Sequence, residues 1–416
     1  MLLFGFAPAF FNLAETTRML HIAQEVERRG GEVVFFSHGG EFEHLVRDQD
    51  LPIVPVEPRH SRELYQHQMQ VNRFEKREGF LTLDQIRAHV ASEVPAYQER
   101  PLRALTTGFN FTSSISAPAA GVPLVWFVQA PSTLEFFEQG LGRLPDMFYH
   151  PLLDLIPRRL LNWLLNAAAR LPIMVGSFNR VAREYSVPRF PNLFSVLRGE
   201  LTLVGDHLEF TPLKPTERLP RENFVGPILP AVRGQIQPEV AAHIEAGRSG
   251  GRRPVFFAMG TSGQPDRFLS IIRYLDRRRD LQPVVAYTNI ITPEQLPAVG
   301  DHIMLRQLVL AEEVARRVDL SIIHGGHSTM YTQAYSGTPF VGIPMQSEQQ
   351  HNLEALARRG CGIWISHRRY REDHLNDAVE RIFDSYEQYK QAAVALRDSL
   401  PPPRGAERSA DLIMRL

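Results

Sequence analysis

Cysteine is almost missing from this chain: Cys361 is the only one in 416 residues. One thiol builds neither a disulfide framework nor a cysteine zinc site, and a reducing cytoplasm is the expected setting. Lysine is scarce too, at Lys76, Lys214 and Lys390, and no charge of one sign is in excess, with 46 basic and 46 acidic residues. A nucleic-acid binder carries a basic surplus, so no nucleic-acid partner is expected. No apolar run reaches the roughly 18 residues of a membrane span. Residues 151–176 come closest, but Asp154, Arg158, Arg159 and Arg170 interrupt them. That stretch reads as a buried amphipathic helical hairpin, compatible with a peripheral contact to a membrane surface. The N-terminal "MLLFGFAPAFFNLAE" lacks a basic leader and a small-residue cleavage site, so it reads as a first buried strand. No G-x-S-x-G argues for a serine hydrolase, and "GFAPAFFN" lacks the G-x-G-x-x-G of a dinucleotide enzyme.

What is present is an alternation of strands and helices. "LLFGFA" (2–7), a helix over 15–29, "EVVFFS" (32–37), a helix over 41–48 and "PIVPVE" (52–57) open the chain; "VPLVWFV" (122–128) and "LTLVG" (201–205) follow. The proline-rich 211–235 reads as a linker. A second series then runs through "PVFFAMG" (254–260), "PVVAYT" (283–288), "HIMLRQL" (302–308), "DLSIIHG" (319–325), "FVGIP" (340–344) and "CGIWIS" (361–366), with helices over 265–279, 311–317, 327–336 and 350–359 between them. A last helix, 405–416, follows "PPP". The pattern predicts an α/β class with parallel sheets in two domains, 1–225 and 226–400, and a C-terminal segment, 401–416, that packs back on the first. Ligands of such sheets bind at the carboxyl ends of the strands.

"IIHGGHST" is a strand running into a glycine turn and then a helix. Gly325 and Gly326 let backbone approach a ligand closely. Ser328 and Thr329 fall in the first helical turn, where free N–H groups and the positive dipole end favour an anion. His324 at the strand tip adds a donor, and the set describes a cradle for a diphosphate. A metal reading needs further ligands; His351 and Glu348 are available, but at no metal-ligand spacing. On "HGG" alone, simple turn punctuation stays open.

The whole stretch from His324 to Asn352 closely resembles the donor-site motif of family-1-type glycosyltransferases of the GT-B fold, the plant, macrolide and glucuronosyl enzymes. Gly337, Pro339, Pro344, Gln349 and Asn352 follow His324 at that family's spacing over 29 residues without a gap. "NFVGP" and "FFAMGTSG" are similar to its linker and phosphate-loop segments. The resemblance implies two Rossmann-like domains with parallel sheets facing across a cleft, a nucleotide-sugar (UDP- or dTDP-) as donor substrate, no cofactor and no metal. It assigns the diphosphate to His324, Gly325, Gly326, Ser328 and Thr329, with Gly260, Thr261 and Ser262 opposite. Base and ribose fall to Arg306, Gln307, Val309 and Thr332; a planar guanidinium can stack on a base, and an exposed strand-end arginine is the plainer reading. The family's usual ribose glutamate is replaced by Thr332, which fits a 2′-deoxyribose donor such as a dTDP-sugar. Glu348, in place of the family's aspartate, and Gln349 are the sugar-binding pair.

The family's catalytic histidine lies in the loop after the first strand. Register places Glu15 there, in "NLAETTRML". A carboxylate can take the acceptor proton directly in an inverting transfer; capping its own helix is the alternative role, at the same location. The hydroxyl acceptor is expected to be hydrophobic, a small molecule or lipid, against Phe10, Phe11, Trp126, Gln129, Phe136 and Phe137 under a helical cover at 133–176. An epimerase or hydrolase on the same fold, or an inactive homologue serving as a partner protein, are the rival readings. A cytoplasmic, possibly membrane-associated, monomer or homodimer completes the expectation.

Overall fold

The computed structural model describes residues 1–72, 76, 79–146, 150–229, 235–260, 263–288 and 290–416. The chain divides into two compact units. One comprises 1–143, 154–230 and 402–416; the other comprises 144–153 and 231–401. The division falls a few residues beyond 225, and ten residues read as part of the first domain group with the second.

The first unit holds six parallel strands: β1 (Leu3–Phe6), β2 (Glu32–Ser37), β3 (Ile53–Pro55), β4 (Leu102–Thr107), β5 (Leu124–Val128) and β6 (Leu201–Val204), in the order β3-β2-β1-β4-β5-β6. Strands covered on both faces are apolar throughout, and β5 is buried at every position. One face packs Phe4, Phe6, Phe35 and Phe127 with the helix Leu13–Arg28. The C-terminal helix Gly405–Ile413 lies on the same side: Ala410 and Ile413 share that cluster, and Arg29 Nε donates to Asp411 Oδ1 at 2.7 Å.

The second unit holds β7 (Arg253–Ala258), β8 (Leu281–Ala286), β9 (Met304–Arg306), β10 (Leu320–Ile323), β11 (Phe340–Gly342) and β12 (Gly362–Trp364), all parallel, ordered β12-β11-β10-β7-β8-β9. Read from its other edge this is the first unit's winding again. In each sheet the first and fourth strands of the series are neighbours whose chains leave in opposite directions. That reversal opens a crevice beyond their carboxyl ends. In the first unit it lies beyond β1 and β4; in the second, beyond β7 and β10.

One sequence expectation is corrected. The stretch 151–176 is no buried hairpin. In the helix Arg158–Ala168 only Asn166 is buried, bonded through its amide to Gly142, while Leu160, Trp163 and Leu164 are 46%, 64% and 48% exposed. The region between β3 and β4, left unassigned from sequence, carries the helices Arg62–Asn72 and Leu83–Gln98. The second opens with a capping box, Thr82 and Gln85, whose spacing in "TLDQ" is a legible start signal.

Candidate active site

In the first unit, β1 runs into the loop 7–12 and then the helix Leu13–Arg28. Asn12 caps that helix: its side chain accepts from the Glu15 N–H at 3.2 Å. The capping role is therefore filled, and the Glu15 side chain is turned elsewhere. It is 2% exposed and accepts the Gly108 N–H at 3.0 Å, at the tip of β4. Gly108 is closely confined, since a Cβ there would stand 3.1 Å from the Phe127 carbonyl and 3.4 Å from Glu15 Oε1. Burial raises the Glu15 carboxyl to about 7; the Arg18 guanidinium and the amides of Gly108, Ala9 and Phe109 pull it back only in part. Near neutrality this acid exchanges its proton readily, as a general base must.

The expected acceptor aromatics separate into two groups. Phe10, Trp126 and Phe136 are 0%, 0% and 3% exposed and belong to the packed core, where Trp126 Nε1 donates to Ser114 Oγ at 3.0 Å. Enclosed on all sides, they support the wall and do not face a ligand. Gln129 is half-buried at the end of β5, and Phe137 is half-buried against Phe194, with ring centres 4.6 Å apart. Phe11 joins a run of rings that sequence reasoning missed: Phe11 to Phe109 is 5.9 Å, Phe109 to Phe111 is 5.0 Å, and Phe111 to Phe80 is 5.1 Å. Phe109 directly follows the glycine that holds Glu15. Phe80 and Phe111, with Leu81, Phe178 and Leu193, line a cavity of about 310 Å³. The signal was the "GFNF" at a strand tip, 108–111.

In the second unit, β10 ends at Ile323 and His324 follows it. Its ring is 4% exposed and lies against two glycine backbones. A Cβ at Gly326 would stand 2.5 Å from His324 Nε2, and one at Gly260 would stand 2.8 Å from Cε1. Gly260 and Gly325 also have φ of +59° and +83°, where glycine is at home. Burial lowers the imidazole to about 4, against a small opposing pull from the Ala258 carbonyl. The ring is therefore neutral at pH 7 and can donate one N–H. The helix His327–Ser336 starts at Gly326 with no side-chain cap, which leaves its first-turn N–H groups for an anion. Ser328, Thr329 and Thr332 are half-buried along one helix face. Thr261 and Ser262 lie outside the described residues.

Other assigned residues take varied places. Gln349 is buried, with its amide committed to Met345 N–H at 2.8 Å and Gln346 at 2.9 Å. It shapes the loop before the helix Ser347–Ala357. Glu348 is half-buried and accepts from Asn352 Nδ2 at 2.9 Å, and that amide also holds the Gly325 carbonyl at 2.9 Å. Arg306 ends β9, half-buried; the Gln307 carbonyl is taken by Thr288 N–H at 2.8 Å. Val309 is 7% exposed within a packed cluster with Phe256 and Val314, so its side chain serves the core.

Residues 282–414 match the family described as erythromycin biosynthesis protein CIII-like, C-terminal domain. A PGL/p-HBAD biosynthesis rhamnosyltransferase of Mycobacterium bovis is 24% identical over 324 residues, 77% of this chain and 68% of that protein. The solved glycotransferase of kitacinnamycin superposes with a TM-score of 0.66 at 17% identity, covering 99% of this chain and 98% of the other. The glycosyltransferase VinC, solved with dTDP, gives 0.62 at 18% identity, covering 99% and 98%. The chain is a glycosyltransferase of the GT-B fold. Its likeness extends to an erythromycin-type family over residues 282–414 and to structures of natural-product transferases.

Proposed function

We propose that this enzyme moves a sugar, with inversion, from a nucleoside-diphosphate donor to the hydroxyl of a lipophilic acceptor, and that Glu15 is the base. The observation that carries this reading is the Glu15 carboxyl: buried, raised to about 7, and held by the Gly108 amide in the crevice beyond β1 and β4. The acceptor O–H gives its proton to Glu15 as its oxygen bonds to the anomeric carbon, and the bond from that carbon to the diphosphate oxygen breaks. His324, the first-turn N–H groups and Ser328 and Thr329 meet the charge gathering on the departing diphosphate. These donors supply the charge stabilisation without a divalent ion, so omitting Mg²⁺ and Mn²⁺ leaves the rate unchanged. Thr332, in place of a carboxylate, favours a dTDP-sugar over a UDP-sugar.

The rings from Phe11 to Phe80 and the cavity beside them suit an apolar acceptor. The acceptor is met at an anionic membrane surface. Supporting this, Leu155, Leu160, Trp163, Leu164, Leu171, Ile173 and Met174 are between 41% and 81% exposed within one short stretch, with Arg158, Arg159 and Arg170 exposed among them. An apolar face edged with arginines is the composition of a helix that lies in a lipid interface. The central test is Glu15→Gln assayed with dTDP- and UDP-sugars. Donor binding intact with turnover abolished is expected; retained turnover overturns the assignment.

A further inference from the structure

Three histidines outside the machinery described above meet in the first unit. His38 follows β2, His60 lies beyond β3, and His89 projects from the helix Leu83–Gln98. One ring nitrogen of each lies within 4.8 Å of the others. The His38 and His60 rings stack with centres 5.0 Å apart, and His89 stands 4.6 Å from His38. His60 Nε2 faces His89 Nε2 at 3.0 Å.

The far sides of two rings are already fixed. His89 Nδ1 lies 2.7 Å from the Gln85 carbonyl, and His38 Nδ1 lies 3.0 Å from the Pro58 carbonyl. For His89 a carbonyl on Nδ1 sets the tautomer and leaves the Nε2 lone pair available, which is how metal-bound histidines are commonly oriented. Beside His38 Nε2, at 2.8 Å, is Glu93 Oε1. Glu93 is wholly buried and also accepts from Thr112 Oγ1 at 2.7 Å, Asn110 Nδ2 at 2.9 Å and Ser116.

We infer that His38, His60 and His89 form a site for a divalent transition-metal ion of the zinc class, with Glu93 as its neighbouring carboxylate. A shared proton between His60 and His89 accounts for one contact, but it gives no reason for the third ring, whose ligand nitrogen lies within 4.8 Å of the other two. An all-imidazole set selects zinc, copper or nickel over magnesium and calcium. Tetrahedral zinc, at Zn–N of about 2.0–2.1 Å, spaces its ligand nitrogens about 3.3 Å apart. The His60–His89 pair meets this within a few tenths of an ångström. His38, whose ligand nitrogen lies within 4.8 Å of the other two, joins them by a shift of its ring that gives up the Glu93 contact, and a water takes the fourth position. The ion would tie the tips of β2 and β3 to the helix Leu83–Gln98, behind Phe11, whose ring centre is 5.8 Å from that of His60. This inference is independent of the transferase chemistry, because it concerns residues with no role in it.

The test uses the full chain, stripped with chelator and titrated with Co²⁺ and then Zn²⁺. One equivalent of Co²⁺ is expected to give the visible absorption of a four-coordinate nitrogen site, Zn²⁺ to displace it, and zinc to raise Tm. His60→Gln and His89→Gln should each weaken binding by more than about ten-fold, with unchanged circular dichroism before metal is added. His60→Cys keeps a ligand and should retain zinc. No stoichiometric binding by the parent, or binding by His60→Gln and His89→Gln as tight as the parent's, overturns the site. Because the readout is metal binding, its failure leaves the transferase reading standing.

Discussion

Glu15 occupies the third position of its helix, where an acid ordinarily helps cap, yet Asn12 does that work and the carboxyl is left to the crevice. Its proton sets two measurable effects. Turnover needs the carboxylate, so kcat/KM should fall about ten-fold per pH unit below about 7; a profile flat between pH 5.5 and 8 counts against the base. Stability moves the other way. The folded value of about 7 lies above the ordinary 4.5. The acid's contribution is therefore full below about 4.5 and is lost as pH rises through 7. Glu15→Gln should raise stability at pH 8 by up to about 3 kcal/mol and change it little at pH 4.5, read as Tm at the two pH values. His324 titrates in the opposite sense. Held near 4 instead of 6.5, it withdraws stability as pH falls from 6.5 through 4. His324→Ala should weaken nucleoside-diphosphate binding roughly ten- to hundredfold by calorimetry, the worth of one charge-assisted hydrogen bond. Both positions were legible from register alone. Their ionisation was not, because burial sets it in both, and at Glu15 an amide 93 residues along the chain, at Gly108, works against that burial.

At the scale of elements, the two crevices rest on glycines and strand tips. Gly326→Ala would bring a methyl group to 2.5 Å from His324 Nε2. The ring must move, so donor affinity should fall with only a small change in Tm; a variant with normal donor affinity would show that the ring does not contact the diphosphate. In the first unit Phe109→Ala should raise the acceptor KM several-fold and leave the donor KM alone, as measured by initial rates with each substrate varied. The strands were readable because buried parallel strands are continuous apolar runs, as in "VPLVWFV". Side-chain facing was less so. Phe10 and Trp126 share with Phe11 an aromatic character and a place near strand ends, but pleat and packing turn the first two inward. Val309 likewise follows the segment expected to meet the base, while its side chain packs in a cluster with Phe256. For the helix Leu83–Gln98 the capping box at Thr82 and Gln85 was the legible signal.

On the scale of the whole molecule, the exposed helix Arg158–Ala168 resisted a sequence reading. An amphipathic pattern reports an apolar stripe and not what covers it. Vesicles rich in anionic lipid should co-sediment the enzyme, less so as salt rises, and the double variant Leu160→Ser, Trp163→Ser should stay in the supernatant with kcat on a dispersed acceptor unchanged. Equal sedimentation of parent and variant would remove the lipid surface from the proposal.

The tail has a consequence for rebuilding the enzyme. Residues 402–416 belong to the first unit, where the helix Gly405–Ile413 is pinned to Arg29 through Asp411, so the chain passes through the second unit and returns to the first. A chimera that swaps donor halves with a single cut near residue 230 would strip Ala410 and Ile413 from the first unit's core. Grafts between such enzymes should therefore be made as an insertion, with a second junction at 401/402, the native tail left with the unit it seals and 144–153 exchanged along with the second unit.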